Sequence, residues 1–132
     1  MQEFIKRDLI NSCISVQRNA YAPYSKFKVG AALLAKSGNI YTGCNFENAA
    51  FGAGVCAERV ALGNAIAHGE TEFEAICVSG KNAKITPCGI CRQVLFEFMP
   101  DGKVILDSDE KGMKVFTARE LLPFGFSSAD LK

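Results

Sequence analysis

Phe73-Glu74-Ala75-Ile76-Cys77-Val78-Ser79, then Pro87-Cys88-Gly89-Ile90-Cys91-Arg92-Gln93-Val94-Leu95-Phe96-Glu97-Phe98, then Lys103-Val104-Ile105-Leu106-Asp107 decide how this chain folds. The outer two segments are short, apolar runs suited to buried strands. The middle segment predicts a helix that starts near Cys88 and carries Val94, Leu95 and Phe98. It stops at Met99-Pro100-Asp101-Gly102, where proline and glycine break the pattern. A strand, a crossover helix and a second strand imply parallel pairing inside an α/β sandwich.

The flanking sequence completes the sandwich. Ile5, Leu9, Cys13, Val16 and Ala20 recur at helical spacing and predict an amphipathic helix ending before Pro23. After the turn-rich Tyr21-Ala22-Pro23-Tyr24-Ser25, the β-compatible run Phe27 to Ala35, the turn Ser37-Gly38-Asn39 and the run Ile40 to Cys44 predict a hairpin. Asn45 to Val55 reads as a long loop without periodicity, and such segments in compact domains usually carry function. Ala57 to Ala67 predicts a helix with Val60, Ala61, Ile66 and Ala67 available to the core, ended by His68-Gly69 with His68 as a solvated cap. Lys114 to Phe116 predicts an edge strand, and Thr117-Ala118-Arg119-Glu120 opens a last helix with a capping box.

Composition bounds the answer. A chain of 132 residues is one domain, 1–132, large enough for a core and too short for two. Its hydrophobic share of 48% and charged share of 22% exclude disorder. A net charge of +1 leaves no electrostatic footprint for nucleic acid or an anionic membrane, and suits a small neutral substrate. No apolar stretch approaches membrane-spanning length, and Met1 to Asp8 alternates charged and apolar residues unlike a signal peptide. Three disulfides from six cysteines would belong to a small secreted chain. Here Cys13, Cys44 and Cys77 sit among apolar neighbours and are expected to behave as small buried hydrophobes, while the other three fit a metal pattern. The expectation is a reducing, cytoplasmic setting.

Cys56-Ala57-Glu58-Arg59 and Pro87-Cys88-Gly89-Ile90-Cys91-Arg92 carry the chemistry. Three thiolates can hold a zinc ion and leave its fourth tetrahedral position to water, whose protons a nearby glutamate can handle. Apart from Cys in place of His at the first ligand, the pattern is the H-x-E…P-C-x-x-C of zinc-dependent deaminases, for which a three-cysteine variant exists. It points to hydrolytic removal of an amine. A lone C-x-x-C also serves redox centres and zinc ribbons. A ribbon needs a second such pair, which the chain lacks, and a redox reading leaves Cys56 and Glu58 without a role. A non-catalytic zinc domain serving as an assembly module stays open as the competing class. Glu58 separates the two, since a structural site has no need of it.

Both clusters fall at predicted helix N-termini, where free N–H groups and the dipole stabilise thiolates. Cys88 and Cys91, three apart, face one side of their helix, and Cys56 arrives from another. Three thiolates give the zinc cluster net negative charge, which works against acidifying bound water. Arg59, one turn after Cys56, and Arg92, directly after Cys91, are candidates to hydrogen-bond the sulfurs and draw off that charge. A surface ion pair is the alternative for each. Glu58 complements the helix dipole in either case, and beside an open metal position it is the candidate general acid/base.

Several ordered motifs go further: Tyr21-Ala22-Pro23-Tyr24-Ser25 with Phe27-Lys28-Val29-Gly30-Ala31-Ala32, Gly43-Cys44-Asn45-Phe46-Glu47-Asn48-Ala49-Ala50, both cysteine clusters, and Glu120-Leu121-Leu122-Pro123 with Phe126. Through them the chain resembles, over nearly its whole length, the short homotetrameric cytidine deaminases with three cysteine zinc ligands. The resemblance implies a three-layer α-β-α sandwich with a mixed five-stranded sheet and one Zn²⁺ per chain on Cys56, Cys88 and Cys91. It implies hydrolytic deamination of cytidine and 2′-deoxycytidine in pyrimidine salvage, with no nucleic-acid or membrane partner. It also implies that Asn45 and Glu47 hold the ribose 3′-hydroxyl, that Phe27 packs on the nucleoside, and that Ala57 contacts substrate. Phe126 would approach the base from another subunit of a homotetramer.

The chemistry of an amide and a carboxylate two residues apart agrees, since both point the same way and can grip one hydroxyl. Alone, Asn-x-Glu is only a loop signature. Phe51 stands where the family often has tyrosine, which leaves one polar substrate contact in question. The related blasticidin-S deaminases resemble the chain at the zinc motif and near Arg119 to Pro123, but Asn45-x-Glu47 argues against them. Balanced charge argues against a nucleic-acid deaminase. Leu122-Pro123-Phe124-Gly125-Phe126 places three large apolar groups near the C-terminus, either capping the monomer's core or buried between subunits.

Overall fold

The structure, a computed structural model, describes residues 1–80, 85–107 and 113–131. β1 (Val29–Ala35) and β2 (Ile40–Cys44) form the expected antiparallel hairpin, with Leu34 opposite Ile40. Its turn places Gly38 at φ +97°, a left-handed conformation that glycine adopts without steric cost. β3 (Phe73–Gly80) pairs antiparallel with β1 and parallel with β4 (Lys103–Asp107). β5 (Met113–Thr117) closes the edge antiparallel to β4. The sheet order is β2-β1-β3-β4-β5, so the five-stranded sheet is mixed and the strand–helix–strand run supplies its parallel pair.

Period-two alternation divides the core into two faces. On one, Leu33, Ile76, Val78 and Leu106 meet α2 (Ala57–Ala67) and α3 (Gly89–Phe98) through Leu62 and Leu95. On the other, Ala32, Leu34, Cys77 and Ile105 meet α1 (Glu3–Gln17) through Leu9 and Cys13. This is the three-layer sandwich. Each large aliphatic side chain buried this way contributes about 1.5–3 kcal/mol of transfer free energy.

Two glycines set how closely the layers approach. A Cβ on Gly30 of β1 would lie 2.1 Å from the Cys13 carbonyl oxygen of α1. One on Gly43 of β2 would lie 2.3 Å from the Ala61 amide nitrogen of α2. Because Gly43 lets α2 come so near, its inward stripe is built from Ala57, Ala61, Leu62 and Ala65. Ile66 and Ala67, expected inside, are exposed, and Val60 is half-buried.

Smaller corrections have similar local causes. α1 ends at Gln17, before Pro23 as expected but leaving Ala20 outside the helix, and Gln17 is buried on the same stripe as Leu9 and Cys13. Cys13 and Cys77 are buried with their sulfurs 3.3 Å apart, but Cys44, at the end of an edge strand, is only half-buried. The segment from Asn45 to Val55 is organised: Phe46 bridges Tyr21 and Val55, and Phe51–Ala53 forms a 3₁₀ turn. α4 (Ala118–Leu121) opens with the expected reciprocal cap, Glu120 N donating to Thr117 Oγ1 at 3.0 Å and Thr117 N to Glu120 Oε1 at 2.8 Å. In the C-terminal segment Phe124 and Phe126 are exposed, while Leu122 is half-buried. No helix among the described residues is long and apolar enough to cross a membrane.

Candidate metal centre and substrate cleft

Cys56 and Cys88 occupy equivalent places, each the residue that caps the N-terminus of its helix, α2 and α3. Cys91 lies in the first turn of α3, fully buried, and its amide donates to the Cys88 sulfur at 3.5 Å. The three Sγ atoms lie within 4.8 Å of one another, and they are the cluster of possible metal donors found among the described residues. A tetrahedral zinc ion with Zn–S bonds of about 2.3 Å spaces its sulfurs about 3.8 Å apart. Cys56 and Cys88 stand 3.8 Å apart. Three soft thiol donors and that spacing fit zinc.

Electrostatics prepare the same atoms. The Cys56 thiol is drawn down to about 5, first by the hydrogen bond from Cys91 and further by Arg59 and Cys88, against the effect of burial. Cys91 is pushed up, first because it holds a proton for Cys56 and then by burial. Arg59 donates from its terminal nitrogen to the Cys56 sulfur at 3.8 Å, the contact expected for it. Its Nε is buried and has no hydrogen-bond partner. Arg92 turns elsewhere: Nε donates to the Pro87 carbonyl at 2.8 Å and a terminal nitrogen to the Leu121 carbonyl at 3.0 Å. These bonds brace the turn before Cys88 against α4 rather than drawing charge from sulfur. One residue of helix rotates a side chain about 100° away from Cys91, which accounts for the different target.

Glu58 sits in the first turn of α2 with 5% of its surface exposed, beside fully buried Ala57. Burial pushes its carboxyl up to about 7, and the nearby Cys56 charge adds to the rise. A group poised near neutrality can both take and give a proton.

The second part of the site lies where residues 21–27 meet 45–47. Tyr21 N donates to the Asn45 carbonyl at 3.0 Å and Glu47 N to the Tyr21 carbonyl at 2.8 Å. Asn45 Oδ1 accepts from Val29 N at 2.8 Å, and its amide nitrogen donates to the Phe27 carbonyl at 2.9 Å. Glu47 Oε1 accepts from the backbone N–H groups of Tyr24 and Ser25 at 3.0 and 3.1 Å, and Oε2 accepts from the Ser25 hydroxyl. These donors, Ser25 first, hold the Glu47 carboxyl below its ordinary range. The Phe27 ring lies over Gly80 at the end of β3, where a Cβ would come 2.9 Å from it. Tyr24, Ser25, Glu47, Asn48, Phe51 and Gly54 line an open cavity of about 360 Å³, and Gly54 is two residues before Cys56.

Four of these lining residues, Tyr24, Ser25, Asn48 and Gly54, have no individual role assigned from the sequence. Ser25 carries no motif of its own, and its partner is 22 residues away in sequence. Phe51 is 82% exposed and meets Tyr24 edge-on, with ring centroids 6.2 Å apart. Phe126 is 55% exposed and is held through its backbone, donating to Gln93 Oε1 at 3.2 Å and accepting from Gln93 Nε2 at 2.7 Å.

Comparison with known proteins points one way. The family profile of the cytidine and deoxycytidylate deaminase zinc-binding region matches residues 5–107. A cytidine deaminase of Halalkalibacterium halodurans is 43% identical over 125 residues, covering 93% of this chain and 95% of that one. The crystal structure of cytidine deaminase from Burkholderia pseudomallei superposes with a TM-score of 0.87 at 43% identity, covering 96% of this chain and 100% of the other. A blasticidin-S deaminase of Bacillus cereus is similar at 30% identity over 112 residues, covering 78% of this chain and 79% of that one.

Proposed function

We propose that this chain, which belongs to the cytidine and deoxycytidylate deaminase family, hydrolyses the exocyclic amine of cytidine and 2′-deoxycytidine, releasing uridine or 2′-deoxyuridine and ammonia. The observation that carries this reading is Glu58, a carboxyl buried in the first turn of α2 beside three sulfurs that can hold one metal ion. A structural zinc site would not need such a group.

Cys56, Cys88 and Cys91 would hold one Zn²⁺, which when bound supplies Lewis acidity and lowers the pKa of water. Glu58 takes one proton from the attacking water and delivers it to the ring nitrogen next to the amine-bearing carbon; it then moves the second proton, from the added hydroxyl, to the amino group, which leaves as ammonia as the C–N bond breaks. Arg59 offsets the negative charge of the sulfurs through its bond to Cys56. Arg92 keeps the turn before Cys88 in place.

For the sugar, hydrogen-bond accounting supports the assignment of Asn45 and Glu47. Three of the roughly four acceptor positions of Glu47 are engaged, and one of the two Asn45 amide hydrogens is. What remains is one acceptor and one donor, the complement of a single hydroxyl such as the 3′-hydroxyl of the nucleoside. Phe27 and Ala57 are proposed to flank the substrate. Glu47 is the charged residue among those lining the cavity, which favours a neutral nucleoside over a phosphorylated one. The same pair favours a nucleoside over blasticidin S.

We further propose a homotetramer in which the exposed Phe126 ring enters a neighbour's site, and a role in pyrimidine salvage in the reducing cytoplasm, where the thiols stay available to metal. The direct test follows conversion of cytidine to uridine by ultraviolet absorbance, with and without a chelator. Turnover that is abolished by the chelator and restored by zinc supports the reading. One bound zinc per chain with no amine release would instead establish the assembly-module alternative.

A further inference from the structure

We propose that Ser25 is a positioning residue for nucleoside binding: its hydroxyl ties the Glu47 carboxylate to the backbone of Phe27 and fixes the group that receives the sugar. This rests on the reading of Glu47 as the sugar contact.

The bonds around Ser25 form a connected path. Its hydroxyl donates to Glu47 Oε2 and accepts from Phe27 N at 3.0 Å. The Phe27 carbonyl accepts from the Asn45 side chain at 2.9 Å, and the Asn45 oxygen accepts from Val29 N at 2.8 Å. Glu47, Phe27 and Asn45, three of the residues proposed to meet the nucleoside, are therefore joined, and among the described residues the Ser25 hydroxyl is the link between the Glu47 carboxylate and the Phe27 amide. Backbone bonds from Tyr24 and Ser25 pin only Oε1, so without the serine hydroxyl Oε2 has no hydrogen-bond partner among the described residues. That oxygen holds the remaining acceptor position for the substrate. The turn is built to bring the hydroxyl there: Lys26 adopts a left-handed φ of 63°, and its amide closes on the Ala22 carbonyl at 3.0 Å. The contacts lie at an exposed cleft, where such bonds add little to stability and their orienting effect falls on what enters the cleft.

The experiment measures kcat and KM of the zinc-loaded enzyme on cytidine and on 3′-deoxycytidine, for the native chain, Ser25→Ala, Ser25→Thr and Glu47→Ala. Ser25→Ala should lose roughly tenfold in kcat/KM on cytidine, the size of one charge-assisted hydrogen bond, with the change mostly in KM. On 3′-deoxycytidine it should match the native chain, and Ser25→Thr should restore cytidine binding. A Ser25→Ala loss equal on both substrates, while Glu47→Ala discriminates between them, would overturn the proposal and leave the sugar reading standing. A Glu47→Ala loss equal on both would remove the sugar reading itself, and the Ser25 proposal with it. If Ser25→Ala does not fold, Ser25→Gly repeats the comparison, and failure of both to fold would show Ser25 to be structural and overturn the proposal.

Discussion

Replacing Gly43 with alanine would set a methyl carbon 2.3 Å from the Ala61 amide nitrogen and 2.7 Å from the Ala57 carbonyl oxygen. Ordinary contact begins at 3.4 Å, so α2 must retreat by about 1 Å, since backbone atoms cannot rotate away as a side chain would. Overpacking of this kind costs about 1–3 kcal/mol, and a clash against backbone belongs at the upper end. For a domain of this length that is a fall in Tm of roughly 10 °C. The helix that moves carries Cys56 at its cap and Glu58 in its first turn. A misplacement of about 1 Å at a reacting group costs on the order of 10²-fold in rate. Gly30→Ala is the matched control: its methyl would meet the Cys13 carbonyl at 2.1 Å, but on α1, which carries no candidate site residue. Thermal unfolding and cytidine turnover should be measured on both, with zinc content checked. Both should lose stability, while only Gly43→Ala loses the order of 10²-fold in turnover. If Gly30→Ala inactivates as strongly at a similar Tm, the assignment of catalysis to one layer and support to the other is wrong.

Other outcomes follow from the site. Glu58→Gln should keep its fold and zinc but lose at least ~10²-fold in kcat, because an amide cannot carry the proton; near-normal turnover with full zinc would remove Glu58 from the mechanism. Glu47 is held below the ordinary carboxylate range by Ser25 and its neighbours, so its ionised form persists as pH falls. Cytidine KM should therefore begin to rise only below that range, and the rise should start at higher pH in Ser25→Ala; an unchanged KM profile would sever the link between the two. Phe126→Ala should lose activity while keeping zinc, and mixing it with Glu58→Gln should recover part of it, as expected of sites shared between subunits. Full activity from a monomer speaks against that arrangement.

Element order was legible because the strands are short apolar runs bounded by Gly, Pro and Asn, and the zinc triad because its spacing is local to two helix starts. What escaped was set by approach distances that no single segment encodes. Ile66 reads as a core residue by size, but α2 buries its alanines because Gly43 on another strand has no side chain. Arg92 reads as a partner of the sulfurs by adjacency, but helix geometry aims it at Pro87 and Leu121. Cys44 reads as buried from its neighbours, but lies at the end of an edge strand, where one side of the chain has no pairing partner. Ser25 was visible only as part of a motif, since its partner Glu47 is brought to it by the Tyr21–Phe46 bridge.

The parallel pairing of β3 with β4 has a kinetic side. The β1–β2 hairpin is closed by a short turn, and such units form in microseconds, whereas parallel pairing waits for the whole intervening crossover to dock. Cys56 lies before β3, and Cys88 and Cys91 lie within the crossover itself. A chain that has formed only its hairpin and α2 presents one of the three site sulfurs, and a detached crossover presents the other two. The three-sulfur site is complete only once α3 has docked beside α2, so zinc loading of a refolding sample should follow that docking rather than closure of the hairpin.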